Sequence, residues 1–495
     1  MSNSKSLASK TIAGMFWMLS GKGVQAVLQF VVLILLARLL TPNDFGIINA
    51  AIVVISFTTV FSMIGVGPAL IQRSELTNNH IRTGFTITLM LSVFFSLLMF
   101  FGSPIIASFF KMEELIIILK VMSIIFILKG VGIVSESLLQ RKLKFNIFVR
   151  ITVLSYFVYG LSGVVFALFG FNYWSLVIAH ILQNLVQTLL LVFSERHDMR
   201  LQLDGDSMKE LIFFGGGFTI ARISNQFALQ ADNLVVGRWL GPNDLGLYSR
   251  AYQLMVMPTN LFGQVIDKVL FPAMAQIQSQ QEKLTTSFRL GISAIALLTI
   301  PTSIFFVFYS QEIVLILFGK DWLDLVPALQ ILAVGLLFRT SYKISDSIAR
   351  ATGAVYKRAW RQVIYAIAVA TGAWIGQHWG IEGVAIGVLI AIGINYFLMT
   401  NLSMKFINIK VTDIVLLHIP SLYLGIVSLI SIVLIKWLTT YFIIYNIFQI
   451  ILSASLFIIL SILLIRYDEK RFLGKDVVWL KSFLIERMKQ RKVKR

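Results

Sequence analysis

The sequence predicts an all-α polytopic membrane protein of about fourteen transmembrane helices, arranged as two parallel-repeat six-helix lobes followed by two C-terminal helices. Three observations predict it. Of 495 residues, 57% are apolar and 14% charged, whereas a soluble globular chain is about 45–50% apolar and about a quarter charged. Apolar runs of bilayer-crossing length, roughly 17–25 residues, recur from end to end. Lys and Arg are alternately abundant and scarce in the segments that join them.

The first run, 11–37, is interrupted by Lys22, is too long for a signal peptide and is followed by no small-residue cleavage site, so it reads as a retained span. Runs 45–66, 83–109, 115–139, 147–169 and 173–193 complete a first set of six. The seventh, 210–236, is the most polar, with Arg222, Asn225, Gln226, Gln230, Asp232 and Asn233. Runs 245–271, 287–309, 325–349, 360–378 and 382–403 complete the second set, and 414–435 and 440–465 follow. This divides the chain into an N-lobe (1–200), a C-lobe (201–405), two extra helices (406–465) and a basic tail (466–495). No connection between spans is long enough to hold a catalytic domain.

Orientation follows from the cations. With the N-terminus inside, 30 of the 43 Lys and Arg fall in cytoplasmic segments or, for Arg150, Arg289 and Arg361, within four residues of them, and 5 fall in the opposite loops. Short loops rich in Lys and Arg stay in the cytoplasm, so both termini are expected there. Most of the net charge of +19 is therefore topology facing an anionic leaflet, and nucleic acid is not an expected partner.

Residues 38–47 read RLLTPNDFGI and 238–247 read RWLGPNDLGL. Proline at a helix start, flanked by Asn and Asp, signals a turn and cap; two of them in equivalent places signal a repeat. The register extends upstream, where Lys22 matches Arg222 and Gln25 matches Asn225. At an offset of 210 Lys129 matches Arg339, Ser135-Glu136-Ser137 matches Ser345-Asp346-Ser347, and Gly170 matches Gly380. An even number of helices per copy makes the repeats parallel, and transporters of that kind bind substrate near the midplane between the halves.

Charges within the spans are the functional candidates, since each costs at least about 2.5–3.5 kcal/mol at a helix centre unless hydrated or paired. Lys22, Lys129, Arg222 and Arg339 lie ten to twelve residues from the cytoplasmic ends of their spans, or roughly 15–18 Å deep at about 1.5 Å per residue. Such a cationic belt suits an anionic group: Arg forks match phosphate oxygens and Lys acts as a point charge. Gln25, Gln29, Asn225, Gln226 and Lys343 are expected to line the same polar face. Asp232, Glu136 and Asp346 are either ion-coupling sites or salt-bridge partners. Arg250, Lys268, Asp267 and Lys120 lie nearer span ends or break the repeat and read as structural.

Absences narrow the class. There is no cysteine, hence no disulfide framework, thiol catalysis or cysteine metal site. No Gly-x-x-x-x-Gly-Lys-Ser/Thr loop or Gly-x-Ser-x-Gly elbow occurs, and the five histidines are scattered. No metal and no cofactor is expected, and no enzymatic activity.

The run Ala37-Arg-Leu-Leu-Thr-Pro-x-Asp-Phe-Gly46, with Gly65-Val-Gly-x-Ala-Leu-Ile-Gln72, Phe213 to Gly217, Ala231-Asp232-Asn233 and Gly237 to Gly246, resembles the polysaccharide-transporter branch of the multidrug/oligosaccharidyl-lipid/polysaccharide flippase superfamily, most of all the colanic-acid and teichuronic-acid exporters. The likeness covers residues 8–405. It implies two six-helix lobes in a V and a bacterial cytoplasmic-membrane flippase. That flippase would carry an undecaprenyl-pyrophosphate-linked oligosaccharide to the outer leaflet by alternating access, driven by an ion gradient. It also implies a polysaccharide polymerase and a chain-length regulator as partners, and it supplies the cationic belt with a pyrophosphate. The drug-extruding cousins commonly carry an Asp in the first span, and 11–37 has no carboxylate. A cation-coupled multidrug antiporter is thus the alternative on the same fold, and a glycan polymerase or ligase would need a larger outward loop than 310–324.

Overall fold

Thr41, Pro42 and Asp44 start a helix as the Pro-Asn-Asp run predicts. Pro42 occupies the first turn, where its missing N–H costs nothing. The Asp44 amide donates to Thr41 Oγ1 (3.3 Å) and the Thr41 amide donates to Asp44 Oδ2 (3.0 Å), a reciprocal capping box. The computed structural model describes residues 2–63, 65–73, 75–265, 270–440 and 446–482; within these, the side chains of 2–16, 18–19, 214–225, 261–265 and 272 lie outside the description.

The chain packs as two compact units, Met1–Gly246 and Leu247–Arg495. The first contains α1 (Ser2–Leu39), α2 (Pro42–Ser62), α3 (Val66–Gln72), α4 (Asn78–Phe110), α5 (Glu114–Met122), α6 (Ile124–Arg141), α7 (Phe145–Leu168), α8 (Tyr173–Ser194) and α9 (Gly205–Trp239). Helix α10 (Pro242–Val265) leads into the second. There α11 (Phe271–Gln276), α12 (Gln281–Phe308), α13 (Ser310–Leu317), α14 (Val326–Val334), α15 (Leu336–Ala351), α16 (Val355–Gly376), α17 (Gly380–Ser403), α18 (Val411–Thr439), α19 (Asn446–Tyr467) and α20 (Glu469–Leu473) follow. No strand occurs among the described residues.

Where residues are described, the predicted spans fall on helices, and the class is the expected one; 64, 266–269 and 441–445, within three of those spans, lie outside the described residues. Ten helices among the described residues are long and apolar enough to cross a membrane, or up to eleven if a bent pair forms one span. The expected count of fourteen exceeds that number. One of the ten, Val355–Ser403, joins two predicted spans. It is a hairpin, because α16 and α17 run side by side with the backbones of Gly372 and Gly387, and of Gly376 and Gly383, in contact, the close approach small residues allow in membrane helices. Predicted span 325–349 is instead broken at Gly335 with a bend of 41°, and 115–139 is interrupted at Ser123. Large apolar side chains stand exposed along these helices, among them Phe101 at 73% and Ile105 at 77%. Such surface has no place in water at this extent, and the protein is a multi-pass membrane protein.

The backbone carries the 210-residue register too. Left-handed conformations occur at Leu143 (φ 55°) and Gly353 (72°), and at Gly170 (78°) and Gly380 (69°).

Small cores hold the elements together. In the first unit Val66, Leu70, Phe85, Val134, Leu138 and Leu211 join α3, α4, α6 and α9. In the second, Phe288, Ile292, Ile344, Ile348 and Leu417 bury one face of α15 against α12 and α18, which turns the charged stripe of α15 the other way.

The segment between α8 and α9 is strapped down, although its sequence reads as a plain loop. Glu195 is paired by Lys142 and, at 2.8 Å, by Lys144. Asp198 accepts from Arg82 Nε (2.7 Å), the Gln202 amide donates to Thr86 Oγ1 (2.9 Å), and His197 Nδ1 meets Ser135 Oγ (3.1 Å). Burial pushes the Glu195 carboxyl up, but hydrogen bonds from the two ammonium groups outweigh it and hold the group below its ordinary value. A carboxyl lowered in the folded state stabilises above its unfolded value and loses that contribution as pH falls through the folded one. Protection from hydrogen exchange over 196–204, taken relative to the intrinsic rate at each pH, is therefore expected to fall as pH drops below about 4.3. Glu195→Gln should lower it already at neutral pH, by about 1 kcal/mol of opening free energy given the exposed lysines, and flatten the pH dependence. An unchanged exchange profile in that variant would count against the strap.

Candidate functional site

In the first unit, α1 presents Lys22 exposed with Gln25 and Gln29 half-buried behind it. Lys129 is half-buried on α6; two turns further on, Glu136 Oε1 accepts from Gln140 Nε2 (3.0 Å). Helix α9 packs antiparallel on α2 through a polar ladder. Asn49 Nδ2 donates to Asn233 Oδ1 (3.3 Å) and Gln226 Nε2 donates to Ser56 Oγ (2.8 Å), with Phe57 and Phe227 edge-on at 5.0 Å. Asp232 lies beside this ladder, 1% exposed, its Oδ1 accepting the Asn233 amide (2.8 Å). The side chains of Arg222 and Asn225 lie outside the described residues, as do Asp267 and Lys268.

In the second unit Arg339, Lys343, Asp346 and Arg350 follow one stripe of α15, at helical spacing. Asp346 is 8% exposed and is engaged by Arg350 Nε (3.0 Å) and by Arg358 from the start of α16. Of its two readings, this is the geometry of a salt-bridge partner: two guanidiniums clamp the turn between α15 and α16. Lys343 is half-buried on the same stripe.

Arg339 is held differently. Its Nη1 donates to Tyr365 Oη (3.3 Å), and its guanidinium carbon lies 5.0 Å from the centroid of the Tyr252 ring. The ionisable groups that face it are Tyr252, Tyr365 and Tyr342, and it makes no ion pair among the described residues. A cation–π contact attracts a guanidinium without cancelling its charge, and a single hydrogen bond leaves most of its five N–H donors unused. The arrangement holds a guanidinium in place with no carboxylate against it among the described residues.

Sequence reasoning picked out Arg339 but missed Tyr252 and Tyr365, which lie 87 and 26 residues away and show no local pattern. It also missed Asn49 and Ser56. Their spacing of seven on an apolar span, matching Gln226 and Asn233 on the polar seventh run, was the available signal.

A family model described as polysaccharide biosynthesis protein matches residues 35–327. Lipopolysaccharide biosynthesis protein WzxC of Escherichia coli K12 is 27% identical, over 80% of this chain and 82% of that protein. Teichuronic acid biosynthesis protein TuaB of Bacillus subtilis 168 is 25% identical, over 76% and 80%. Among solved structures, the lipid II flippase MurJ in an inward closed conformation aligns with a TM-score of 0.74 at 16% identity, covering 92% of this chain and 99% of that one; at that identity the likeness concerns the fold.

Proposed function

Since the chain belongs to the polysaccharide biosynthesis protein family, we propose that it is a flippase that carries a lipid-linked oligosaccharide, its glycan joined to undecaprenyl pyrophosphate, from the inner to the outer leaflet of a bacterial cytoplasmic membrane. Both termini are cytoplasmic, each six-helix repeat (1–200 and 201–405) forms a lobe, and an ion gradient rather than a nucleotide drives alternating access. Lys22, Lys129, Arg222 and Arg339 attract the pyrophosphate, with Gln25, Gln29, Asn225, Gln226 and Lys343 as polar neighbours. Asp232 and Glu136 are the coupling candidates. A polymerase and a chain-length regulator take over the product at the outer face.

The observation that carries this reading is Arg339, a membrane-embedded guanidinium held by tyrosines instead of carboxylates. A cation kept in a membrane segment without an ion pair is costly unless something anionic visits it, and phosphate is the anion whose geometry a guanidinium fork fits best.

The test is reconstitution of the whole chain in vesicles holding fluorescent undecaprenyl-pyrophosphate oligosaccharide, with a membrane-impermeant quencher reporting leaflet. Transfer faster than in protein-free vesicles is expected, and Lys22→Ala should slow it roughly tenfold, the effect of about 1.4 kcal/mol. No transfer under any imposed ion gradient would overturn the proposal.

A further inference from the structure

Helices α1 and α7 form the walls of an open slot of about 1120 Å³. Trp17, Gly21, Val24, Leu28 and Val31 of α1 line one wall, and Val149, Val153 and Phe157 of α7 the other. Trp17 to Val31 spans roughly 21 Å at 1.5 Å per residue, over half of a hydrocarbon core of about 30 Å. The helices can close on each other because Gly21 has no Cβ, which would overlap Val149; at Gly23, by contrast, a Cβ would meet nothing within 4 Å.

Among the described residues, the slot is polar at one end. There the Arg150 guanidinium lies over the Trp17 ring, 5.3 Å from its centroid, and makes no ion pair among the described residues. The ring contact holds the guanidinium beside the indole without using its N–H donors, which leaves them for an acceptor. Indole and guanidinium together are what the headgroup level of a bilayer selects.

At 100° per residue, the slot residues of α1 centre roughly 110° away from Lys22, Gln25 and Gln29. Helix α1 therefore separates an apolar track with Arg150 at its foot from a polar face with Lys22 deeper along the same helix.

We propose that this slot is the loading site for the isoprenoid chain of the substrate: a single long hydrocarbon lies along α1 and α7 with its phosphate end at Arg150 and Trp17. The head group then passes round α1 to Lys22. The inference rests on the flippase reading above. An apolar track with, among the described residues, one cation at its end matches a carrier with one chain and one phosphorylated end, whereas a bilayer phospholipid brings two chains.

The experiment uses the full chain carrying the photoreactive residue benzoylphenylalanine in place of Phe157, in phosphatidylethanolamine/phosphatidylglycerol vesicles doped with undecaprenyl pyrophosphate. The same residue in place of Ile426, an exposed position on α18, gives the lipid baseline. An undecaprenyl adduct enriched at least tenfold at 157 over 426 is expected. Gly23→Leu fills open space, so it should leave the melting temperature unchanged while abolishing that enrichment; Arg150→Gln should cut it about tenfold. Phospholipid adducts alone at 157, or enrichment that survives Gly23→Leu, would overturn the loading site. If Lys22→Ala still slows transfer in that case, the slot inference alone has failed; if no variant affects transfer, the flippase reading has failed with it.

Discussion

Arg339→Ala is expected to lower glycan export about 10- to 150-fold while the protein stays in the membrane at its normal level. Hydrogen bonds to a charged group contribute about 1.5–3 kcal/mol, which converts to that range at 1.4 kcal/mol per tenfold. The expectation of unchanged abundance follows from how the residue is held. Its removal breaks one hydrogen bond to Tyr365 and one ring contact to Tyr252, and strands no carboxylate among the described residues. Asp346→Ala is the contrasting variant. It removes the partner that Arg350 and Arg358 share between α15 and α16, and losing hydrogen bonds to a charged group costs about 1.5–3 kcal/mol, so protein level should fall together with export. Tyr365→Phe separates holding from charge, because it keeps the ring and the cation and removes only the hydroxyl; a few-fold loss of export is expected. Surface glycan measured against membrane protein in the same cells reads all three. Arg339→Ala behaving like Asp346→Ala would make Arg339 a structural cation and remove it from the substrate site.

Much of this could be read from the sequence, and the division between what could and could not is physical. Span positions are legible because a bilayer imposes length and hydropathy on contiguous residues, so α2, α4, α7 and α8 begin and end within a few residues of the predicted runs. The Pro-Asn-Asp loops are legible because capping is a local bargain between Thr41 and Asp44. What depends on a partner far along the chain is not. The tyrosines around Arg339, the clamp of Arg358 on Asp346 and the strap of Glu195 by Lys142 and Lys144 all join residues whose proximity is created by packing. The bend at Gly335 belongs with them, since α14 and α15 together read as one continuous apolar run. The ladder between α2 and α9 lies in between: each half shows helical spacing, but their pairing shows only in three dimensions.

The internal repeat leads to the other large effect, a loss of folded protein from either of two single methyl groups. Helices α2 and α10 begin with the two copies of the Pro-Asn-Asp run, and those beginnings cross. A Cβ at Gly46 would overlap the carbonyl oxygen of Pro242, and a Cβ at Gly246 would overlap that of Pro42. The relation is reciprocal, with each glycine seated against the first turn of the other copy. Neither carbonyl can retreat easily, because each belongs to a first helical turn; on the α2 side that turn is held by the capping box of Thr41 and Asp44. Overpacking commonly costs about 1–3 kcal/mol and more where the obstacle cannot move, and backbone is such an obstacle. Gly46→Ala and Gly246→Ala are each expected to lower the melting temperature of the detergent-solubilised protein clearly, and the valine variants to prevent its accumulation in the membrane. The double alanine variant discriminates between two independent tight turns and one crossing. Independent sites would add within about 0.3–0.5 kcal/mol. At a crossing, the first methyl group already forces the two turns apart, so the second finds space made for it, and the combined loss should fall well short of the sum. Additive losses would mean that the two copies of the loop act separately despite their contact.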